Sequence, residues 1–279
     1  MEVSSSISEG ALRLSVFFGI FLVMALLELA MPRRTPNRVK SRRWLTNLAI
    51  AGIGAAVIRL MALLAVPIAA VAAAAWAQSE GWGVFNQLDW PGWVEILLAV
   101  ILLDLAIYGQ HVASHKIPVL WRLHKVHHTD VDFDVTTAVR FHPVEIALSM
   151  LWKIVVVVAL GASPWAVVLF EVILNGCAMF NHANFALPLW LDRIVRVILV
   201  TPDMHRVHHS IHRFEHDTNF GFNLSVWDRL FNTYTDQPRD GHVKMVIGQK
   251  NHLNDSPTRL GWSLRLPFLP SQRSDEDQN

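Results

Sequence analysis

Apolar residues run along this chain in long blocks set apart by short polar stretches, and the blocks define the expected elements. Residues 11–31 form the first, long enough as a helix to cross a bilayer, which takes about 20 apolar residues. Pro32 ends it. The next block, 46–77, is longer than a simple span needs, and Gly52, Gly54 and Pro67 offer bending points. It reads as one kinked helix or as a span followed by an interfacial piece. A third span, 92–110, carries Asp104. Two shorter blocks, 144–160 and 164–180, are joined by Gly-Ala-Ser and read as a hairpin, transmembrane or re-entrant. Pro143 and Pro164 stand where first-turn prolines are favoured, and Ser163 is a plausible N-cap. Beyond residue 181 the chain is more polar. Residues 187–200 set Trp190, Leu191, Ile194 and Ile198 against Asp192, Arg193 and Arg196, a pattern for a helix lying in the membrane interface. The tail 271–279 reads as disordered.

Composition supports membrane insertion: 52% of residues are hydrophobic, 17% are charged, and mean hydropathy is +0.32. The net charge of +1 argues against nucleic acid as a partner. A single cysteine, Cys177, excludes an intrachain disulfide and a cysteine-ligated cluster. The first ten residues hold two glutamates and no Lys or Arg, unlike a cleavable signal, so the first block is expected to stay as an anchor. Six basic residues between Arg33 and Arg43 follow that block and predict a cytoplasmic segment. The loop 78–91 has no Lys or Arg and is expected on the opposite side.

Histidine placement changes the picture most. Residues 111–128 hold five: His111 and His115, then His124, His127 and His128. Spacings of three and four put imidazoles on one face of a helix. The trio recurs as His205, His208 and His209, and His182 closes the fifth apolar block. Ordinary surface or core histidines explain a single imidazole well. They do not explain twelve of fourteen histidines lying between residues 111 and 216 at repeated helical spacings.

Neutral imidazole binds iron, zinc, copper or nickel. One structural zinc is satisfied by four ligands, so nine candidates favour two ions with positions left open for a reactant. A two-ion, all-imidazole site at a membrane surface favours oxygen chemistry on a lipid. The competing class is a histidine-rich membrane protein that stores or moves zinc or copper, whose ligands should lie within the spans along a pathway. A zinc hydrolase would call for a general-base carboxylate, and no His-Glu-x-x-His is present.

The ordered motifs HVASH (111–115), HKVHH (124–128), RFHPVE (140–145), NHANF (181–185) and TPDMHRVHHS (201–210) resemble the fatty acid hydroxylase / sterol desaturase superfamily. So do the runs at 217–234 and 241–248, and the resemblance covers roughly residues 95–250. It implies an all-α integral membrane protein with about four transmembrane helices. A cytoplasmic helical cap would hold a histidine-rich dinuclear metal site of two non-haem iron ions, with O2 as co-substrate. The implied ligands are His111, His115, His124, His127, His128, His182, His205, His208 and His209. Some relatives have another histidine four residues before the one matching His182, where this chain has Ala178. The implied reaction is hydroxylation, or second desaturation, of a lipid drawn from the bilayer, with electrons from an external electron-transfer protein or reductase. The expected division is an N-terminal membrane region (1–91), a catalytic domain (92–250) and a polar tail (251–279).

Other polar residues carry weaker expectations. Asp104 and Glu171 are candidates to orient a ligand histidine, and Glu171 alternatively pairs Lys153 or Arg140. His142 is an N-cap, a ligand or a partner to one, and His212 is an additional ligand candidate. His216 is expected to shape its loop with Glu215 and Asp217, with a spare ligand as the alternative, whereas His242 and His252 are expected at the solvated surface. Trp227, Phe231 and Tyr234 read as packing residues.

Overall fold

The computed structural model describes residues 2–64 and 69–270, with side chains at 10–63 and 69–270. Among these residues the structure is helical, with three isolated β-bridges and no strand. Helix α1 (Glu2–Ala30) stops just before Pro32, whose ring cannot continue a helix. The long second block divides into α2 (Lys40–Leu64) and α3 (Ala70–Ser79). Pro67, the expected bend, lies outside the described residues, as does the tail 271–279. Helix α4 (Gly92–Lys116) carries His111 and His115 in its last two turns, and α5 (Pro118–His128) carries the first trio.

The hairpin forms as α6 (Pro143–Leu160) and α7 (Pro164–Asn181). Both prolines take the first turn, and the Ser163 hydroxyl accepts from the Ala166 amide at 3.3 Å. The hairpin tip is fastened to the 81–86 loop by the Val84 amide donating to the Ala159 carbonyl at 3.1 Å. Close approach there requires glycine. Gly83 and Gly161 have φ of +93° and +69°, and a Cβ on Gly83 would stand 2.1 Å from the Gly161 nitrogen.

Among the described residues five helices, α1, α2, α4, α6 and α7, are long and apolar enough to cross a membrane, a count that includes both hairpin arms. Their outer faces keep large apolar side chains exposed, among them Phe18, Leu22, Leu63, Leu97 and Trp165. Inside, α3 packs its alanines against Phe85, Leu103, Val157 and Phe170 of the surrounding segments. Helix α8 (Leu189–Val195) and the turn after it bring Asp192 and Arg196 inward as an ion pair and leave Trp190, Ile194 and Ile198 exposed.

The basic stretch after α1 is folded onto the protein's own acids. Arg43, 2% exposed, pairs with Asp130 at 2.7 Å and Asp134 at 2.8 Å. Arg33 forms a two-pronged pair with Asp203, and the Arg34 guanidinium donates to the His242 and Met245 carbonyls. Arg140 and Asn47 complete a buried network beneath α5: Arg140 donates to the Asn47 side chain, and Asn47 donates to Asp130. These bonds lock the segment before α2 against the two histidine-bearing regions. Helix α9 (Pro202–His208), capped by Thr201, delivers the second trio against the end of α7.

Candidate metal centre

The nine histidines predicted as ligands converge into two groups. His111, His115, His124, His128 and His208 form one, and His127, His182, His205 and His209 form the other. Within each, one ring nitrogen per residue lies within 4.8 Å of all the others. The groups interleave because the His-x-x-His-His spacing turns neighbouring imidazoles to different sides. His124 and His128 of α5 face α4, whereas His127 faces His182 and His209.

Facing Nε2 atoms lie 3.1 Å apart for His115–His128 and 3.2 Å for His124–His128, His127–His182 and His182–His205. Nitrogens about 2.1 Å from one ion stand roughly 3.0 Å apart at a right angle and roughly 3.4 Å apart at the tetrahedral angle. The observed separations fall between these limits. Nε2 of His111 and of His208 and both ring nitrogens of His209 are buried without a hydrogen-bond partner in the chain. Such groups are costly unless another centre takes their lone pairs. The histidine cluster is therefore able to bind metal.

The outer nitrogens of His111, His124, His182 and His208 are held by the protein, which fixes the orientation of those rings and leaves their Nε2 as the inward donor. The Nδ1–H of His111 points to the Phe220 carbonyl (2.7 Å), that of His182 to Ala178 (2.8 Å) and that of His208 to Thr218 (2.7 Å). His124 Nδ1 meets the Glu145 carboxylate at 2.6 Å, and Asp217 faces His115 Nδ1 at 3.5 Å. Burial pushes His127, His128, His205, His208 and His209 well below the ordinary imidazole range, and adjacent imidazoles add to the effect. Burial brings His182 down to about 4. These rings are neutral at physiological pH, the form that ligates.

The remaining candidates lie outside the two groups. Asp104 touches no imidazole. Its carboxylate accepts from the amides of Asn223 (3.3 Å) and Leu224 (3.1 Å) and from the Trp227 indole (2.8 Å). It anchors the loop whose Phe220 carbonyl orients His111, and Trp227 is thus more than packing. Glu171 pairs with Lys153 at 2.8 Å and Arg13 at 2.6 Å, away from the histidines, while Arg140 is engaged elsewhere. His142 is the N-cap of α6, accepting from the Val144 amide at 3.2 Å. His212 lies outside both groups and meets Asp240 at 3.1 Å. His242, expected at the surface, is buried beside Gln237 and Asp203. His216 stacks on Trp121 with rings 2° from parallel. Ala178 provides no ligand side chain, only the carbonyl that holds His182.

Sequence reasoning missed Glu145, Asp217 and the two loop carbonyls at Thr218 and Phe220. Glu145 stands three residues after His142 in a motif already in view, but nothing local shows that it reaches across to His124.

A cavity of about 610 Å³ opens beside the five-histidine group. His111, His124 and Ser114 form its polar end, and Phe141, Met179 and Phe222 continue the wall. An apolar chain entering between the helices would lie against these histidines.

Residues 96–233 match the fatty acid hydroxylase family. Among curated proteins the chain is similar to an ornithine lipid hydroxylase of Rhizobium tropici, 28% identical over 58% of this chain and 48% of that protein. It is also similar to alkylglycerol monooxygenase of Homo sapiens, 29% identical over 63% of this chain and 37% of that protein. Cholesterol 25-hydroxylase of Rattus norvegicus is 27% identical over 58% of this chain and 52% of that protein. The chain spans about half the length or less of these relatives. No solved structure matches it.

Proposed function

We propose, for a chain that belongs to the fatty acid hydroxylase superfamily, that it is a membrane-embedded oxygenase that hydroxylates a lipid or sterol-like substrate. The observation that carries this reading is the junction of two buried imidazole groups with a largely apolar cavity between membrane-length helices. The five- and four-histidine groups would each hold one iron ion. Together, when bound, the two ions supply the reductive activation of dioxygen that C–H oxidation requires. Each Nδ1–H held by a carbonyl or by Glu145 keeps its ring aimed inward, so these four donors are oriented before substrate arrives. Phe141, Met179 and Phe222 shape the wall that seats a methylene beside His111 and His124 and excludes water.

Residues 92–250 form the catalytic unit of this reading, with residues before 92 closing the cavity and residues after 250 packing beneath. A separate electron-transfer protein supplies the two electrons. The cap carries Lys116, Arg122 and Lys125, and the 78–91 loop carries no Lys or Arg, which supports a cytoplasmic face for the histidines in a multi-pass inner-membrane protein. The metal-transport alternative loses ground because the ligands gather at and beyond the helix ends, not along a route through the spans.

Expression in a lipid-producing host under 18O2 tests the proposal. A lipid gaining one 18O atom, lost in His208→Ala, supports hydroxylation, and a new double bond without label would move the assignment to desaturation. Purified chain holding stoichiometric zinc and consuming no oxygen would overturn it.

A further inference from the structure

The cavity wall carries a neutral polar pair that the chemistry above does not use. Gln110 of α4 and Ser149 of α6 both line the cavity with His111 and His124. The Ser149 hydroxyl donates to the Gln110 side-chain carbonyl at 3.3 Å. Their places in the chain tie both residues to the metal-binding end. Gln110 immediately precedes His111 on α4, with Cα atoms about 3.8 Å apart. Ser149 stands one turn, about 6 Å, beyond Glu145, whose carboxylate holds His124.

Hydrogen-bond capacity decides what the pair can do. A glutamine amide has a carbonyl that accepts and two N–H groups that donate. The bond from Ser149 engages the carbonyl and so sets the turn of the amide. Among the described residues no carbonyl or carboxylate accepts from Gln110 Nε2. The surrounding wall offers none, since Ile107, Ile146 and Met150 line the same cavity. Donors left facing hydrocarbon are costly. Joining α4 to α6 does not account for the pair, because the Trp152 indole already ties the two helices by donating to the Ala106 carbonyl at 3.1 Å. A few placed polar groups in an apolar pocket fix how a ligand lies.

We propose that Gln110, turned by Ser149, donates a hydrogen bond to a neutral oxygen of the lipid (an ether, carbonyl or hydroxyl oxygen) and so fixes which methylene lies beside His111 and His124. The cavity thereby favours hydrocarbon interrupted by oxygen over plain hydrocarbon, and the carbon attacked lies within a few bonds of that oxygen. Gln110 is a specificity-determining residue, and Ser149 is a positioning residue that acts through it. The proposal deepens the hydroxylase reading, on which it rests only for what happens to the methylene once seated.

The test is competitive binding to the full chain in phosphatidylcholine nanodiscs. Four probes of equal chain length, heptadecane, dioctyl ether, 9-heptadecanone and 9-heptadecanol, each displace a heptadecane bearing a mid-chain diazirine, whose photolabelling of the chain is read by mass spectrometry. Preferences are compared between native chain and variants in the same membrane, so the partition of each probe into lipid cancels. The ether or the ketone is expected to bind about three- to tenfold more tightly than heptadecane. Whichever binds more tightly identifies the class of oxygen. Gln110→Leu should abolish that preference without weakening heptadecane, and Ser149→Ala should reduce it by at least about half. Metal content reports folding, and Ser149→Ala keeps the test open where Gln110→Leu does not fold. A native chain that binds heptadecane as tightly as the ether and the ketone overturns the proposal. So does a preference confined to the alcohol, which can donate, or a native preference that survives in the folded variants. A bond that only packs helices predicts that last result, with thermal stability alone reduced. Because the assay contains neither oxygen nor reductant, an inactive chain leaves the binding result standing. Conversely, hydroxylated product from a chain with no preference for oxygen-bearing probes removes this proposal alone.

Discussion

Glu145→Gln separates the two histidine groups. The Glu145 carboxylate meets His124 Nδ1 at 2.6 Å, with the two side chains 11% and 3% exposed, so solvent cannot replace the bond. No other protein group holds that ring from behind, whereas His111 and His208 lean on backbone carbonyls that substitution does not touch. Glutamine keeps an acceptor in place but removes the charge that makes the imidazole a stronger donor to metal. Partners of this kind are worth about 10- to 100-fold in metal affinity. The neutral isostere belongs at the lower end, a loss of about 1.4 kcal/mol, and Glu145→Ala nearer the upper, about 2.8 kcal/mol. Glu145 makes no contact with His127, His182, His205 or His209, so only one of two ions should be weakened. Chelator competition followed by metal analysis should show a loose and a tight phase in the variant. Uniform weakening of both phases, or no weakening at all, would refute the division into five and four.

Four further outcomes follow from the fold and the site. Arg43→Met leaves Asp130 and Asp134 without their buried cation and should cost about 3–5 kcal/mol, seen as a large fall in the midpoint of thermal unfolding in detergent. Arg33→Gln, at a pair 23% and 6% exposed, should cost visibly less. Gly83→Ala drives a Cβ into the Gly161 backbone at a positive φ and should destabilise by more than about 1 kcal/mol, with new protease sensitivity in the 81–86 loop. Stripping metal with a chelator should lower thermal stability, and restoring metal should raise it again with the logarithm of metal concentration, since only the folded state assembles either group.

Much of this site could be read along the chain because helical spacing writes it there. Offsets of four residues put the imidazoles of His111 and His115, and of His124 and His128, together before any tertiary fold is known. The division between the groups was not legible, because it depends on how α5 is rotated between α4 and α7. Glu145, Asp217 and the Phe220 carbonyl were hidden for the same reason: they meet their histidines across loops. The basic run from Arg33 to Arg43 reads as a topology signal by composition. In the fold, Arg33 and Arg43 pair with Asp203, Asp130 and Asp134, acids scattered far along the chain. Asp104 earned attention as an intramembrane acid, and the rule identified a working residue while misplacing its partner, a loop of amides and an indole. Glu171 was half visible: Lys153 was foreseen, and Arg13, contributed by the first helix, was not.

Metal content per purified chain, measured on the native protein beside His111→Ala and His209→Ala, decides between one ion and two. Two interleaved groups predict about two iron ions in the native chain and about one in each variant, lost from different sites. A single ion per chain, or the loss of all metal on removing either histidine alone, would contradict the account.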